Sequence, residues 1–368
     1  MGKELNESFL SLVRVGLGKS RGAKLPDKDE FADLKALADE QGLSAIVLDG
    51  IDKCHADSTE STEQIPLQMK LEWIGEVLQN YEQRYVQYEK SIGTLAKWHN
   101  EHGFRMMILK GYASSLDWPK PNHRPCGDID IWQFGEQKEA DKVLANTNFT
   151  NGTNIKIDTS HHHHTVFEWE GFSVENHYDF INIHQSKTNA WLEGILKDLG
   201  RDDTHIINVC GEKVYLPSPN LHALFLMKHA ALHFVSTDLT LRQVLDWAFF
   251  VEKHGKDVDW RWLKGVLEEH GMMSFFQIIN AICVGDLGFD VSLFPNVQFD
   301  PFMKERVLNE IFASVYQNDE PNNIFKRQIH RYRRWKANEW KHKLCYKESM
   351  RSAFWSGVWG HLLKPSSI

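Results

Sequence analysis

Asp128 and Asp130, in the run Gly127-Asp128-Ile129-Asp130-Ile131, are the residues of this chain whose type and spacing point most directly to chemistry. The polar/apolar alternation from Asp128 to Trp132 predicts a strand, and side chains at i and i+2 of a strand share a face, about 7 Å apart. Two carboxylates held side by side repel, and a proton or a cation must relieve that. A hard divalent ion such as Mg2+ is the usual partner when the substrate carries phosphate. Acidic residues fill 50 of 368 positions, so acid-x-acid pairs also arise by chance, and Asp27/Asp29, Glu168/Glu170 and Asp257/Asp259 are others. Asp257/Asp259 reads as the cap before a helix starting near Trp260. What separates Asp128/Asp130 is setting: β-branched neighbours, the preceding Gly127, and the Leu109-Lys110-Gly111 turn upstream. Glu175 alternates with Val174 in a second predicted strand, so it faces away from the core. It is either a solvated strand position or a third carboxylate converging on the pair, a set able to hold two metal ions astride a phosphoryl centre. His177 follows on the same face, as a structural histidine or as a group hydrogen-bonding a metal-bound carboxylate or a phosphate.

The elements that must hold these residues follow from hydrophobic periodicity. Residues 104–109 are strand-compatible, 165–169 and 172–180 read as a hairpin around Glu170-Gly171, and 136–146 as a helix between strands. Helical spacing marks 4–17, 28–53 and a long stretch from about 67 to 99, with a polar loop at 56–64. After Pro217-Ser218-Pro219-Asn220 the chain reads helical again, at 221–235, 239–254, 259–270, 272–285, 301–316 and 321–341. The expected architecture is α+β, a small mixed sheet in 104–216 flanked by an N-terminal helical region, 1–103, and a C-terminal one, 217–368.

Composition narrows the function class. A 42% hydrophobic and 25% charged chain of net charge −8 is that of a globular protein and argues against one that coats nucleic acid over its whole surface. No apolar run reaches the ~18 residues of a membrane span, and the start lacks a signal peptide's apolar stretch. Five scattered cysteines without a CxxC fit a reducing cytoplasm.

The order Leu109-Lys110-Gly111, Arg124, Gly127-Asp128-Ile129-Asp130 and then Val174-Glu175-Asn176-His177 resembles the uncharacterised nucleotidyltransferase family of the DNA polymerase beta-like superfamily. The likeness extends through 221–235 with His229 and His233, through 241–247 and to Asp259-Trp260, so it covers most of residues 30–270. It implies a nucleotidyltransferase fold that takes an NTP with Mg2+ (a two-ion site, Mn2+ as a substitute). Asp128, Asp130 and Glu175 would be the metal ligands and catalytic residues. It further implies that Gly111, Tyr112 and Gly127 approach the triphosphate through backbone N–H groups, with Lys110 and Arg124 supplying positive charge. The implied reaction is transfer of a nucleoside monophosphate to a hydroxyl of a small molecule, sugar or protein, with release of pyrophosphate. The superfamily's Gly-Ser turn is replaced here by Gly111-Tyr112, which keeps open an inactive nucleotide-binding or partner-binding module as an alternative.

Other features have a plainer reading beside the chemical one. His161–His164 is a run of four histidines, read as the polar start of a strand beside the cleft rather than a zinc site. His222, His229 and His233 lie along one helical face and read as core histidines, and Arg242/Asp246 as an i,i+4 packing pair. Between Lys326 and Arg351 ten Lys/Arg face only Glu339 and Glu348, with aromatics interleaved. This basic segment, 326–351, could bind nucleic acid, as a terminal transferase would; an amphipathic helix with its aromatics packed inward is the favoured reading.

Overall fold

The computed structural model describes residues 2–57, 65–147, 149, 154–184, 187–203, 205–236, 239–295, 297–313, 323–350 and 352. Six strands, Met107–Ile108 (β1), Ile129–Trp132 (β2), His164–Trp169 (β3), Phe172–His177 (β4), Ile206–Val209 (β5) and Glu212–Tyr215 (β6), form one mixed sheet in the order β3-β4-β2-β1-β6-β5. The pairs β2/β4 and β1/β6 are parallel; β1/β2, β3/β4 and β5/β6 are antiparallel. Both hairpins turn on two residues with positive φ, Glu170 (48°) and Gly171 (83°), and Cys210 (51°) and Gly211 (93°). Such turns match the right-handed twist of the strands they join.

The sheet is covered on both faces, and this fixes where the acidic positions can open. Ile108, Ile129, Ile131 and Val174 are fully buried on one face, against Ile92 and Leu95 of the helix Arg84–Glu101. On the other face Met107, Leu109, Trp132 and Tyr215 join a larger core. That core takes Leu221 and Leu224 from the helix Pro219–Ser236, Leu245 from the helix Leu241–His254, and Phe9 and Leu12 from the N-terminal helix Lys3–Gly16.

The fold class is α+β as expected, and the predicted hairpin, the helix Gln137–Asn146 and most of the C-terminal helices are present. The stretch expected as one helix runs as Leu67–Val77, a wider π-turn Leu78–Gln83, and Arg84–Glu101. The side chains turned inward there, Trp73, Val77, Tyr81 and Tyr85, recur every four residues. That exceeds the 3.6 of an α-helix, and the looser turn accommodates it. Leu71, Ile74 and Leu78, which share the apolar helical periodicity of this stretch, stay 56%, 40% and 48% exposed. The helix Lys187–Arg201 and the β5–β6 hairpin were not expected from the sequence. The helix expected at 321–341 is divided into Ile324–Ala337 and Glu339–Cys345. No described helix is long and apolar enough to cross a membrane. Most of the 56–64 loop and residues 353–368 lie outside the described residues.

Candidate active site

Register brings the carboxylates together. In the parallel pair β2/β4, Asp130 stands opposite Glu175 and Trp132 opposite His177, with Ile129 paired to Val174. Adjacent strands lie about 4.8 Å apart, so Asp130 and Glu175 are neighbours on one face while Ile129 and Val174 fill the core on the other. Asp128, one residue before β2, is exposed at the mouth of the same face. Its carboxyl is raised above the usual range by partial burial and then by the charges of Glu175 and Asp130, with Lys110 opposing.

Two cationic groups reach the pair. Lys110 Nζ lies 2.9 Å from Asp130 Oδ1 and 3.8 Å from Glu175 Oε2. His177 Nε2 lies 3.2 Å from Asp130 Oδ1 and 3.5 Å from Glu175 Oε2, while its Nδ1 meets the Asp179 carbonyl at 3.2 Å. Burial would depress His177, but its bonds to Asp130 and Glu175 outweigh that and raise it. Burial also works against ionisation of Glu175, yet the His177 bond and the Lys110 charge hold it well below the usual carboxylate range. Oxygen or nitrogen atoms of Asp130, Glu175 and His177 all lie within 4.8 Å of one another.

Lys110 is placed by the turn that follows β1. Gly111 has φ 64° and ψ −98°. A Cβ there would sit 2.7 Å from Tyr88 Oη, which itself donates to the Asp128 carbonyl at 2.7 Å. Only glycine fits both the backbone conformation and the gap.

A cavity of about 180 Å³ opens beside these residues, and the helices Pro219–Ser236 and Leu241–His254 form its far wall. Lys110, Gly111, Gly127, Asp128 and Asp130 line the near side; His229, His233, Arg242 and Gln243 line the far side. His229 and His233 therefore border a cleft rather than a closed apolar core. Burial, then the charges of Lys110 and His233, keeps His229 well below an ordinary histidine.

Of the two remaining expected nucleotide-binding residues, Tyr112 was expected to act through its backbone N–H and Arg124 through its charge. The ring of Tyr112 is buried beside Tyr85 and Tyr88, and its hydroxyl donates to Glu89 Oε1 at 2.7 Å, away from the cleft. Arg124 borders the cavity but commits its guanidinium to Asp246, Nε to Oδ1 at 2.7 Å and Nη2 to Oδ2 at 2.9 Å. Trp118 Nε1 also donates to Asp246 Oδ1, at 2.9 Å.

Asp246 is thereby taken from Arg242, its expected i,i+4 partner. Arg242 makes no hydrogen bond or ion pair with any described residue, and its buried Nε has no partner. Burial, then the nearby Arg124 charge, lowers its pKa from the ordinary arginine value. Arg242 thus brings a guanidinium with no partner among the described residues to the cavity that Asp128 and Asp130 also line, a placement the sequence reading did not anticipate. No signal in the sequence pointed there: i,i+4 spacing assigns Asp246 to Arg242, and the pairing with Arg124 is long-range.

Residues 27–284, well over half of the chain, match the model of a family described as uncharacterised nucleotidyltransferase. Among solved structures, an antigenic nucleotidyltransferase-like protein from Paracoccidioides brasiliensis aligns at TM-score 0.33 and 14% identity, over 49% of this chain and 85% of that one. No curated protein matches.

Proposed function

Because the chain belongs to the uncharacterised nucleotidyltransferase family, we propose that it transfers a nucleoside monophosphate from an NTP to a hydroxyl of an acceptor, with release of pyrophosphate. The observation that carries this reading is the Asp130–Glu175 register, which sets two carboxylates side by side with Asp128 on the same face. The donor set fits a hard cation: Asp128, Asp130 and Glu175 offer oxygens, and Asp128 stays raised by burial and by the charges of Glu175 and Asp130 despite Lys110. When bound there, Mg2+ would draw charge from the phosphate oxygens and from the departing pyrophosphate.

The remaining roles belong to the chain's own residues. The low pKa of Glu175 keeps it ionised, which suits a ligand and makes it a weak proton acceptor. Lys110, which pairs with Asp130, would reach phosphate oxygens once that carboxylate is engaged by a cation. Arg242 supplies the second cation from the opposite wall, with a planar fork suited to phosphate. The helices Pro219–Ser236 and Leu241–His254 form the side on which an acceptor would approach.

The test is incubation with labelled NTPs, Mg2+ and a panel of hydroxylated acceptors, alongside calorimetry of NTP binding with and without the metal. Metal-dependent binding and pyrophosphate release, both lost in Asp130→Asn, are expected. Absence of both in the wild type would refute the proposal. A second reading is favoured by one observation: Lys110 already neutralises Asp130 at 2.9 Å. On that reading the cleft binds nucleotide without turning it over, and NTP binding persists in Asp130→Asn with no pyrophosphate formed.

A further inference from the structure

We infer that His163, His164 and His177 form a second metal site, one for a nitrogen-preferring transition ion of the Zn2+ class, beside the carboxylate site and sharing Glu175 with it. This does not rest on the transferase reading. His164 opens β3 directly opposite His177 at the end of β4, so antiparallel register turns both imidazoles to one face. His163 precedes them, and its carbonyl accepts from the backbone N–H groups of Tyr178 (3.0 Å) and Asp179 (3.1 Å), which clamps the end of the hairpin. One ligand nitrogen from each of the three histidines lies within 4.8 Å of the others. The ring centroids are 4.4 Å apart for His163/His164, 5.5 Å for His163/His177 and 5.2 Å for His164/His177.

Three features of this cluster ask for an ion. First, the Nδ1 atoms of His163 and His164 are buried with no hydrogen-bond partner among the described residues. The His164 side chain is only 9% exposed, and buried polar atoms are rarely left unpaired. Second, His177 has the arrangement of a metal-bound imidazole. Its Nδ1 meets the Asp179 carbonyl at 3.2 Å, which fixes the ring so that Nε2 points to the cluster, where Asp130 now takes its proton and an ion would replace that proton. Third, a carboxylate is at hand. Glu175 Oε1 lies 3.9 Å from His164 Nε2, and its Oε2 lies 3.5 Å from His177 Nε2. Three imidazoles and one carboxylate make the nitrogen-rich, four-ligand set that zinc takes and that Mg2+ does not. Such an ion would fix the β3–β4 end and the orientation of Glu175. The exposed His161, which faces Asp158 at 3.5 Å, lies outside the set.

The experiment titrates Zn2+ alone into chelator-treated, full-length protein against a chromophoric competitor, with Mg2+ in millimolar excess. One equivalent is expected to bind, without displacement by Mg2+. His163→Ala and His164→Ala should each weaken it more than about 100-fold, beyond the 10–100-fold typical of losing an outer-shell partner. His161→Ala should leave affinity unchanged. The proposal is overturned if binding survives the His163 and His164 substitutions, or if Mg2+ competes, which would place the ion on the carboxylates. It is equally overturned if His161→Ala weakens binding as much, the sign of tag-like chelation by an exposed run. Should those variants fail to fold, Cu2+ on the wild type decides: its electron paramagnetic spectrum must show coupling to several nitrogens, and an oxygen-only spectrum sinks the idea. None of these readings depends on nucleotide turnover, so failure here leaves the transferase proposal standing.

Discussion

Asp246→Asn isolates the pairing that the fold makes in place of the one expected from the sequence. Asp246 is 4% exposed and accepts from Arg124 twice and from Trp118 once. Asparagine keeps the shape but turns one acceptor into a donor facing Arg124 Nη2 and leaves the guanidinium uncompensated in the interior. Breaking one partner of a buried pair costs about 3–5 kcal/mol. With an unfolding entropy of about 2.1 cal/mol/K per residue, a chain of this length melting as one unit loses about 0.8 kcal/mol per degree. The melting temperature should therefore fall by roughly 4–6 °C. Added salt should not restore it, because screening does not reach a buried pair. Replacing both partners, Arg124→Met with Asp246→Leu, should recover most of the loss, since an apolar pair of similar volume can stand in for buried ions. Scanning calorimetry measures the stability, and NTP titration of the folded double variant measures the function. The reasoning fails if Asp246→Asn melts within a degree of wild type. It fails equally if the double variant folds yet loses nucleotide binding as severely as a variant at Arg242, for then Arg124 would be the phosphate contact.

Arg242→Ala should reduce NTP affinity about 10–100-fold, the worth of charge-assisted hydrogen bonds. It should leave the melting temperature unchanged or higher, because a half-buried cation with no partner among the described residues is removed; calorimetry and a thermal melt read both. Gly111→Ala should cost more than the about 1–2 kcal/mol of left-handed strain, because its Cβ meets Tyr88 Oη at 2.7 Å. Adding Tyr88→Phe should return part of that, and strict additivity in urea denaturation would count against the contact. Lys228, fully buried with its ammonium 4.3 Å from the Tyr346 ring, is lowered by burial to about 7. An unfolded lysine keeps its proton to about 10.4. Between those values the unfolded state binds more protons, so stability rises with pH by at most about 1.4 kcal/mol per unit. Lys228→Met should remove that slope, so the wild-type unfolding free energy should gain on the variant's between pH 7 and 9; parallel curves would refute the assignment.

The strand alternation at Asp128–Trp132, the Glu170-Gly171 turn and the apolar stretch from Leu221 were legible because each is a local pattern, period two, a turn dipeptide or a buried run. The same holds for the acids as residue types: i and i+2 spacing places Asp128 and Asp130 on one face whatever surrounds them. The long helical stretch was misread in phase, since a π-turn adds a residue that periodicity counted as α-helical. The helix Lys187–Arg201 went unseen although its apolar residues fall at helical spacing, among them Leu192 and Leu196, which are fully buried.

The sequence by itself determined the class of fold and which side chains could hold a cation, because strand and helix periodicity and side-chain chemistry are local properties. Only the tertiary structure decided which of those groups meet. Asp130 neighbours Glu175 through a parallel register between segments 45 residues apart in the chain. Asp246 was given to Arg124 rather than Arg242 by the way a helix docks on the sheet. Pairing across such separations depends on which surfaces pack together, and no local spacing encodes that choice.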